Sequence, residues 1–180
     1  MPRVIGADLS LTSTGLAVID THPAGGIHSY QLGVIKSPPL GKAWTDSERR
    51  IEGIVAQITP HLDRLPQLLI MESPAFGQTS GASHDRSWLW GRVYHEASVR
   101  GVPVITATPQ AVKIYATGKG NADKDQVIAA LVRRWPAIEG LDNNNAADAW
   151  SLATMGERVL GAAVDELPAT HVRALEKLRQ

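Results

Sequence analysis

The stretch VIGADLSLTSTGLAVI, residues 4–19, decides how the rest of the chain folds. Val4 to Ala7 is a short apolar run that ends at Asp8. SLTSTG, a cluster of small hydroxyl residues closed by glycine, then turns the chain. Leu16 to Ile19 is a second apolar strand. Asp20 to Gly26, with Pro23, Gly25 and Gly26, turns again into a third strand, IHSYQLGVIK, residues 27–36. Short connections between three strands predict an antiparallel meander.

Working outward, Thr45 and Glu48 have capping-box spacing, and Ile51, Ile54, Val55, Ile58 and Leu62 then recur at helical period. LLIM, residues 68–71, is a continuous apolar run of the kind found in buried central strands, and it ends at Glu72. SPAFGQTSGASH is a small-residue loop. A helix is expected from Asp85 to Arg100, stopped by Gly101, and a strand from Val102 to Ala107. Thr108-Pro109 opens a short helix, and Asp123 caps another that carries Val127, Ile128, Leu131 and Val132. A last long helix runs from near Asn145 to about Leu160. Its stripe of Ala146, Ala149, Leu152 and Ala153 is small enough for close packing on a sheet. The expected fold is α/β: a mixed five-stranded sheet, three antiparallel strands first, flanked by helices.

The 180 residues are 43% hydrophobic and 20% charged, which suits one globular domain with a real core and excludes intrinsic disorder. No apolar run approaches the roughly 18 residues of a membrane span. The start of the chain lacks a signal-peptide pattern. The absence of cysteine excludes a disulfide scaffold, a thiol nucleophile and a thiolate zinc site. These features imply a cytoplasmic protein. The six histidines show no HxH or HxxxH spacing, which argues against a histidine metal site. TGKGNADK lacks the full pattern of a phosphate-binding loop. Formal net charge is zero, yet residues 84–135 carry +4 and the remainder −4, so one face is able to meet phosphates.

Three acids stand out by position. Asp8 and Glu72 each end an apolar strand expected to be central, so neighbouring strands would bring both to one sheet edge. Asp148 sits near the start of the last long helix, expected in its first turn, and Asn145 shares its face three residues earlier. Taken singly, an acid at a strand end is most often a turn or cap residue, and Asp148 would suit the positive end of its helix. Taken together, such carboxylates repel unless a cation neutralises them, and hard oxygen donors suit Mg²⁺ or Mn²⁺.

With these residues in hand, the chain resembles the RuvC family of Holliday-junction resolvases, in the ribonuclease H-like superfamily. The resemblance runs from about Val4 to Leu160. It rests on VIGADLSLTSTGLAVI, on LLIMES, on ITATPQAVKIYATGKGNADKDQV (residues 105–127) and on NNNAADAWSLA (residues 143–153), of which the third block is the most specific. It implies a ribonuclease H-like nuclease domain over residues 1–163, followed by a helical or flexible tail over 164–180. It implies an endonuclease that nicks four-way DNA junctions as a homodimer, served by a branch-migration helicase, with Mg²⁺ as cofactor and Mn²⁺ able to substitute. Asp8, Glu72 and Asp148 would hold two metal ions, with Asn145 as a further ligand. Lys113 and Lys124 would act as catalytic lysines beside the scissile phosphate. DNA would also be met by Phe76, Lys119 and Arg86.

Asn145 stands where the family commonly has a second aspartate; an asparagine ligates through its carbonyl oxygen but brings no charge. Asp142 is the other candidate for that role. Phe76 falls one residue later than the family's base-stacking aromatic, Ala75 taking its place, and Ser10-Leu11-Thr12 replaces a Pro-Gly-Leu-Thr turn. Trp88, Trp90, Trp135 and Trp150 read as core or dimer contacts. Three other readings stay open: a broader branched-DNA or flap nuclease, a degenerate junction binder that has lost cleavage, and a phosphotransferase of the actin-like type. The last shares the strand–aspartate–turn opening but needs two domains to enclose its nucleotide.

Overall fold

Alternation along the first strand sets the layers. In the computed structural model, which describes residues 1–74 and 83–179, β1 (Arg3–Asp8) turns Ile5 and Ala7 to one face of the sheet and Val4 to the other. The strands β2 (Ser13–Thr21), β3 (Ile27–Lys36), β4 (Leu68–Glu72) and β5 (Val104–Ala107) complete the sheet in the order β3-β2-β1-β4-β5. β1, β2 and β3 pair antiparallel, whereas β1, β4 and β5 run parallel. This is the expected mixed sheet with its meander first.

The first face is covered by α1 (Trp44–Leu62) and α2 (Ser83–Val99), whose Ile51, Ile54, Ile58, Leu89 and Val93 bury Ile5, Ala7, Leu69 and Met71. The second face carries α3 (Pro109–Thr117), α4 (Lys124–Arg134) and α5 (Asn144–Val159). Trp150 of α5 is fully buried there, edge-on to Trp135 and Tyr30 at 5.6 and 5.5 Å. Fully burying each such side chain contributes about 1.5–3 kcal/mol, before the conformational entropy it opposes.

α5 lies against β1 and β2 because two glycines let it in. A Cβ on Gly6 would overlap the Ala149 carbonyl, and one on Gly15 would overlap that of Asn145. Gly15 pairs with Asp8 across the β1–β2 ladder. The start of α5 therefore sits over the end of β1 where Asp8 emerges.

Several boundaries differ from the sequence reading. α1 starts at Trp44, and its first turn is closed not by Thr45 and Glu48 but by Asp46, whose carboxylate accepts the Ala43 backbone N–H at 3.2 Å. α2 begins two residues before Asp85, and β5 begins at Val104 because Val102 turns back on α2, its N–H donating to the Ala97 carbonyl at 3.0 Å. Asp148 lies in the second turn of α5, since Asn143 caps that helix by accepting the N–H groups of Asn145 and Ala146.

After α5, a short helix α6 (Ala169–Val172) and a 3₁₀ turn (Arg173–Lys177) strap across α3. Ala174 is fully buried, and Arg179 exchanges two backbone hydrogen bonds with Thr106 at 2.8 and 2.9 Å. This strap covers the outer edge of β5 at that point, limiting edge-to-edge pairing. Among the described residues no helix is long and apolar enough to cross a membrane.

Candidate active site

Register and parity bring the acids together. Ala7 pairs with Met71 in the parallel β1–β4 ladder, so Asp8 and Glu72 follow side by side where the two strands end. Asp8 shares the parity of Val4 and Gly6, and Glu72 that of Leu68 and Ile70, so both side chains leave the sheet on the α5 face. α5 adds Asp148 from above. All three line one cleft of about 500 Å³, together with Asn144 and Asn145.

The opposite wall of the cleft is basic and helical. Thr108 caps α3 by accepting the Ala111 N–H at 3.1 Å, and Lys113 projects from that helix into the cleft. Asp123 and Gln126 form a reciprocal capping box that starts α4 at Lys124, also on the wall. Ser83, Arg86, Ser87 and Trp90 of α2 close the third side.

The electrostatics are those of crowded, half-buried carboxylates. Burial and then the charge of Asp148 push the Asp8 carboxyl up to about 7, against an opposing pull from Lys124. Burial first, then Asp8 and Asp148, raise Glu72 to about 8 in spite of Lys113 and Lys124. Burial raises Asp148 to about 6, with Lys124 and Lys113 holding it back. Two lysines thus offset the negative charge without cancelling it.

Such a donor set fits a hard divalent cation: anionic oxygens from three elements, one neutral amide, and surplus negative charge. Among the described residues, no group of three or more histidine, cysteine, aspartate or glutamate side chains is placed to hold a metal ion by itself. Mg²⁺ does not require one, since it keeps water ligands and is commonly held by one or two carboxylates plus substrate phosphate.

Of the residues singled out in the sequence, Asp8, Glu72, Asn145, Asp148, Lys113, Lys124 and Arg86 all line this cleft. Lys119 is exposed in the loop between α3 and α4 and is not part of the wall. Asp142 is exposed just before α5 and does not line the cleft, whereas Asn144 and Asn145 both line it with Asp148. Phe76 lies outside the described residues. The sequence reading missed Ser10, Ser73, Asn144 and the polar stripe of α2. That stripe was legible in principle, because Ser83, Ser87 and Trp90 follow one another at spacings of four and three.

A mixed sheet in this order, with carboxylates at the ends of its first and fourth strands and on the facing helix, defines a ribonuclease H-like nuclease. The family described as crossover junction endodeoxyribonuclease RuvC matches residues 4–155. The chain belongs to this RuvC family of Holliday-junction resolvases. It is 32% identical to the crossover junction endodeoxyribonuclease RuvC of Frankia casuarinae over 152 residues, covering 84% of this chain and 86% of the relative. It is likewise 32% identical to that of Parasynechococcus marenigrum, covering 86% of this chain and 97% of the relative. The solved structure of Thermus thermophilus RuvC in complex with a Holliday junction substrate is similar over 91% of this chain and 98% of that one. The TM-score there is 0.72 and the identity 25%.

Proposed function

We propose that the chain is a Mg²⁺-dependent, structure-selective endonuclease that nicks four-way DNA junctions by hydrolysing one phosphodiester on each of two strands. The observation that carries this reading is the cleft, where Asp8, Glu72 and Asp148 meet Lys113 and Lys124 from five separate elements. The nuclease domain spans residues 1–163, with 164–180 as an appended tail.

In this reading Asp8, Glu72 and Asp148 hold two divalent ions, and Asn145 contributes a neutral amide oxygen. When bound, such an ion pair supplies Lewis-acid charge at the scissile phosphate and makes water a competent nucleophile near neutral pH. The protein's own residues do the rest. The carboxylates, raised towards neutrality when alone, ionise as positive charge arrives. Lys113 and Lys124 offset the charge of the phosphate and hold the strand in register with the carboxylates. Arg86 and the α2 serines extend the polar wall along the backbone. Symmetric nicking of a junction needs two such clefts, which a homodimer provides.

The test is cleavage of an immobile four-way junction, a flap and plain duplex in Mg²⁺ and then Mn²⁺, with Asp148→Asn in parallel. Symmetric nicks in the junction, absent from the variant, are the expected result. Equal cutting of flaps would widen the substrate class. Junction binding without cleavage in either metal would overturn the catalytic reading.

A further inference from the structure

We propose that Trp90 is a positioning residue for Glu72, its indole N–H fixing the end of β4 so that the carboxylate faces the cation site. The inference deepens the metal-site reading above and rests on it.

Trp90 Nε1–H donates to the Glu72 backbone carbonyl at 3.1 Å, bridging from the middle of α2 to the end of β4. The support comes where the ladder runs out. Pairing with β1 stops at Ala7 and Met71, one residue before Glu72. On the other side Glu72 pairs with Ala107, and the Ser73 N–H donates to the Ala107 carbonyl at 2.8 Å. The carbonyl of Glu72 is held instead by the indole.

Trp90 is itself well anchored. Its ring stacks on Tyr94 at 5.4 Å and 13°, and it packs against the core beneath α1 and α2. Two residues on, Arg92 binds Glu52 of α1 at 2.7 Å and so ties α2 to its neighbour. Trp90 also lines the cleft beside Glu72, so the bond joins two residues of the same wall. Groups that orient a ligand in this way tune affinity for the ion rather than touching it.

The decisive variant places β-(3-benzothienyl)alanine at position 90, which keeps the bicyclic shape and replaces N–H with sulfur. Trp90→Phe is the genetically encoded companion, and Tyr94→Leu breaks the ring stack while leaving the N–H in place. Mn²⁺ binding is measured by calorimetry on the full chain without DNA, beside melting temperature and cleavage as a function of Mg²⁺. Loss of the N–H is expected to weaken Mn²⁺ binding about tenfold and to raise the Mg²⁺ requirement for cleavage to a similar degree. Cleavage should recover at saturating metal. Unchanged Mn²⁺ affinity would overturn the inference, as would an equal loss in Tyr94→Leu, which would mark the effect as packing. Glu72→Gln separates the two levels. If it weakens Mn²⁺ binding and the benzothienyl variant does not, positioning by Trp90 fails and the metal site stands. If Glu72→Gln leaves Mn²⁺ binding at the parent's level, Glu72 is not a ligand and both fail.

Discussion

Asp148 concentrates the chemistry at the scale of a single residue, since it faces Asp8 and Glu72 from another element and feels both lysines. Asp148→Asn, Asp8→Asn and Glu72→Gln are each expected to abolish cleavage and to leave junction binding intact or tighter, because a negative charge facing phosphate is removed. A gel-shift titration in Ca²⁺ beside a cleavage assay checks this, and cooperative melting of each variant shows that the fold survives. Asn145→Asp adds the missing charge and is expected to lower the Mg²⁺ concentration for half-maximal cleavage; a large loss of activity would remove Asn145 from the ligand set. Away from the cleft, Glu157 is fully buried in α5, accepts the Thr21 hydroxyl on Oε2, and among the described residues has no partner for Oε1. Burial pushes its carboxyl up to about 7, with Asp20 adding to the rise and the Thr21 bond opposing it. A folded-state value above the unfolded one means that the native state binds the proton more tightly. Stability from this group is then present in acid and lost as pH rises through about 7. Glu157→Gln should therefore gain stability on the parent between pH 5 and pH 8, by roughly 2 kcal/mol, read as a difference in melting temperature that widens with pH. A difference that is flat with pH would show that Glu157 is not the group responsible.

Helix α5 is the element on which the site depends. It brings Asp148 over the sheet only because Gly6 and Gly15 carry no side chain. Gly15→Ala pushes the first turn of α5 away from the end of β1, and overpacking of this kind typically costs about 1–3 kcal/mol. The expected result is a lower melting temperature together with a loss of cleavage larger than the loss of junction affinity, since Asp148 moves relative to Asp8. Equal losses of both would mean that the variant merely unfolds. α3 depends on a different support. The strap of residues 169–179 is joined to it by Arg173 donating to the Gly118 carbonyl at 3.1 Å, by Lys177 to Gln110 at 3.1 Å and by His171 to the Tyr115 carbonyl at 2.9 Å.

For the whole molecule, formal net charge is zero, so the positive charge offered to phosphate is local: Lys113 and Lys124 line the cleft, whereas Arg92, Arg100 and Arg134 of the +4 stretch are held in ion pairs with Glu52, Glu96, Asp63 and Asp165. Junction binding should fall steeply with salt. Lys113→Ala or Lys124→Ala should each reduce the slope of log K against log salt by about one if the lysine meets a phosphate. An unchanged slope would place that lysine away from the DNA backbone. If two clefts act in a dimer, mixed dimers of parent and Asp148→Asn chains should nick a junction on one strand only.

Much of this was legible in the sequence, for reasons that are local. Strand identity followed from apolar runs such as LLIM and from the turn chemistry between Ile19 and Ile27, because backbone preference and burial act over a few residues. Asp8 and Glu72 stood out because each ends such a run, and Asp148 because it sits near the start of the last long helix, three residues after Asn145. Their convergence was not local. It needed the parallel register of β1 and β4, the shared parity of Asp8 and Glu72, and two glycines that admit α5, and these are settled by pairing and packing between residues 64 to 143 positions apart. The same holds for Trp90, read in the sequence as a core or dimer contact. Only the tertiary structure brings its N–H to the carbonyl of Glu72, because a hydrogen bond between a helix and a strand end depends on where the two elements dock.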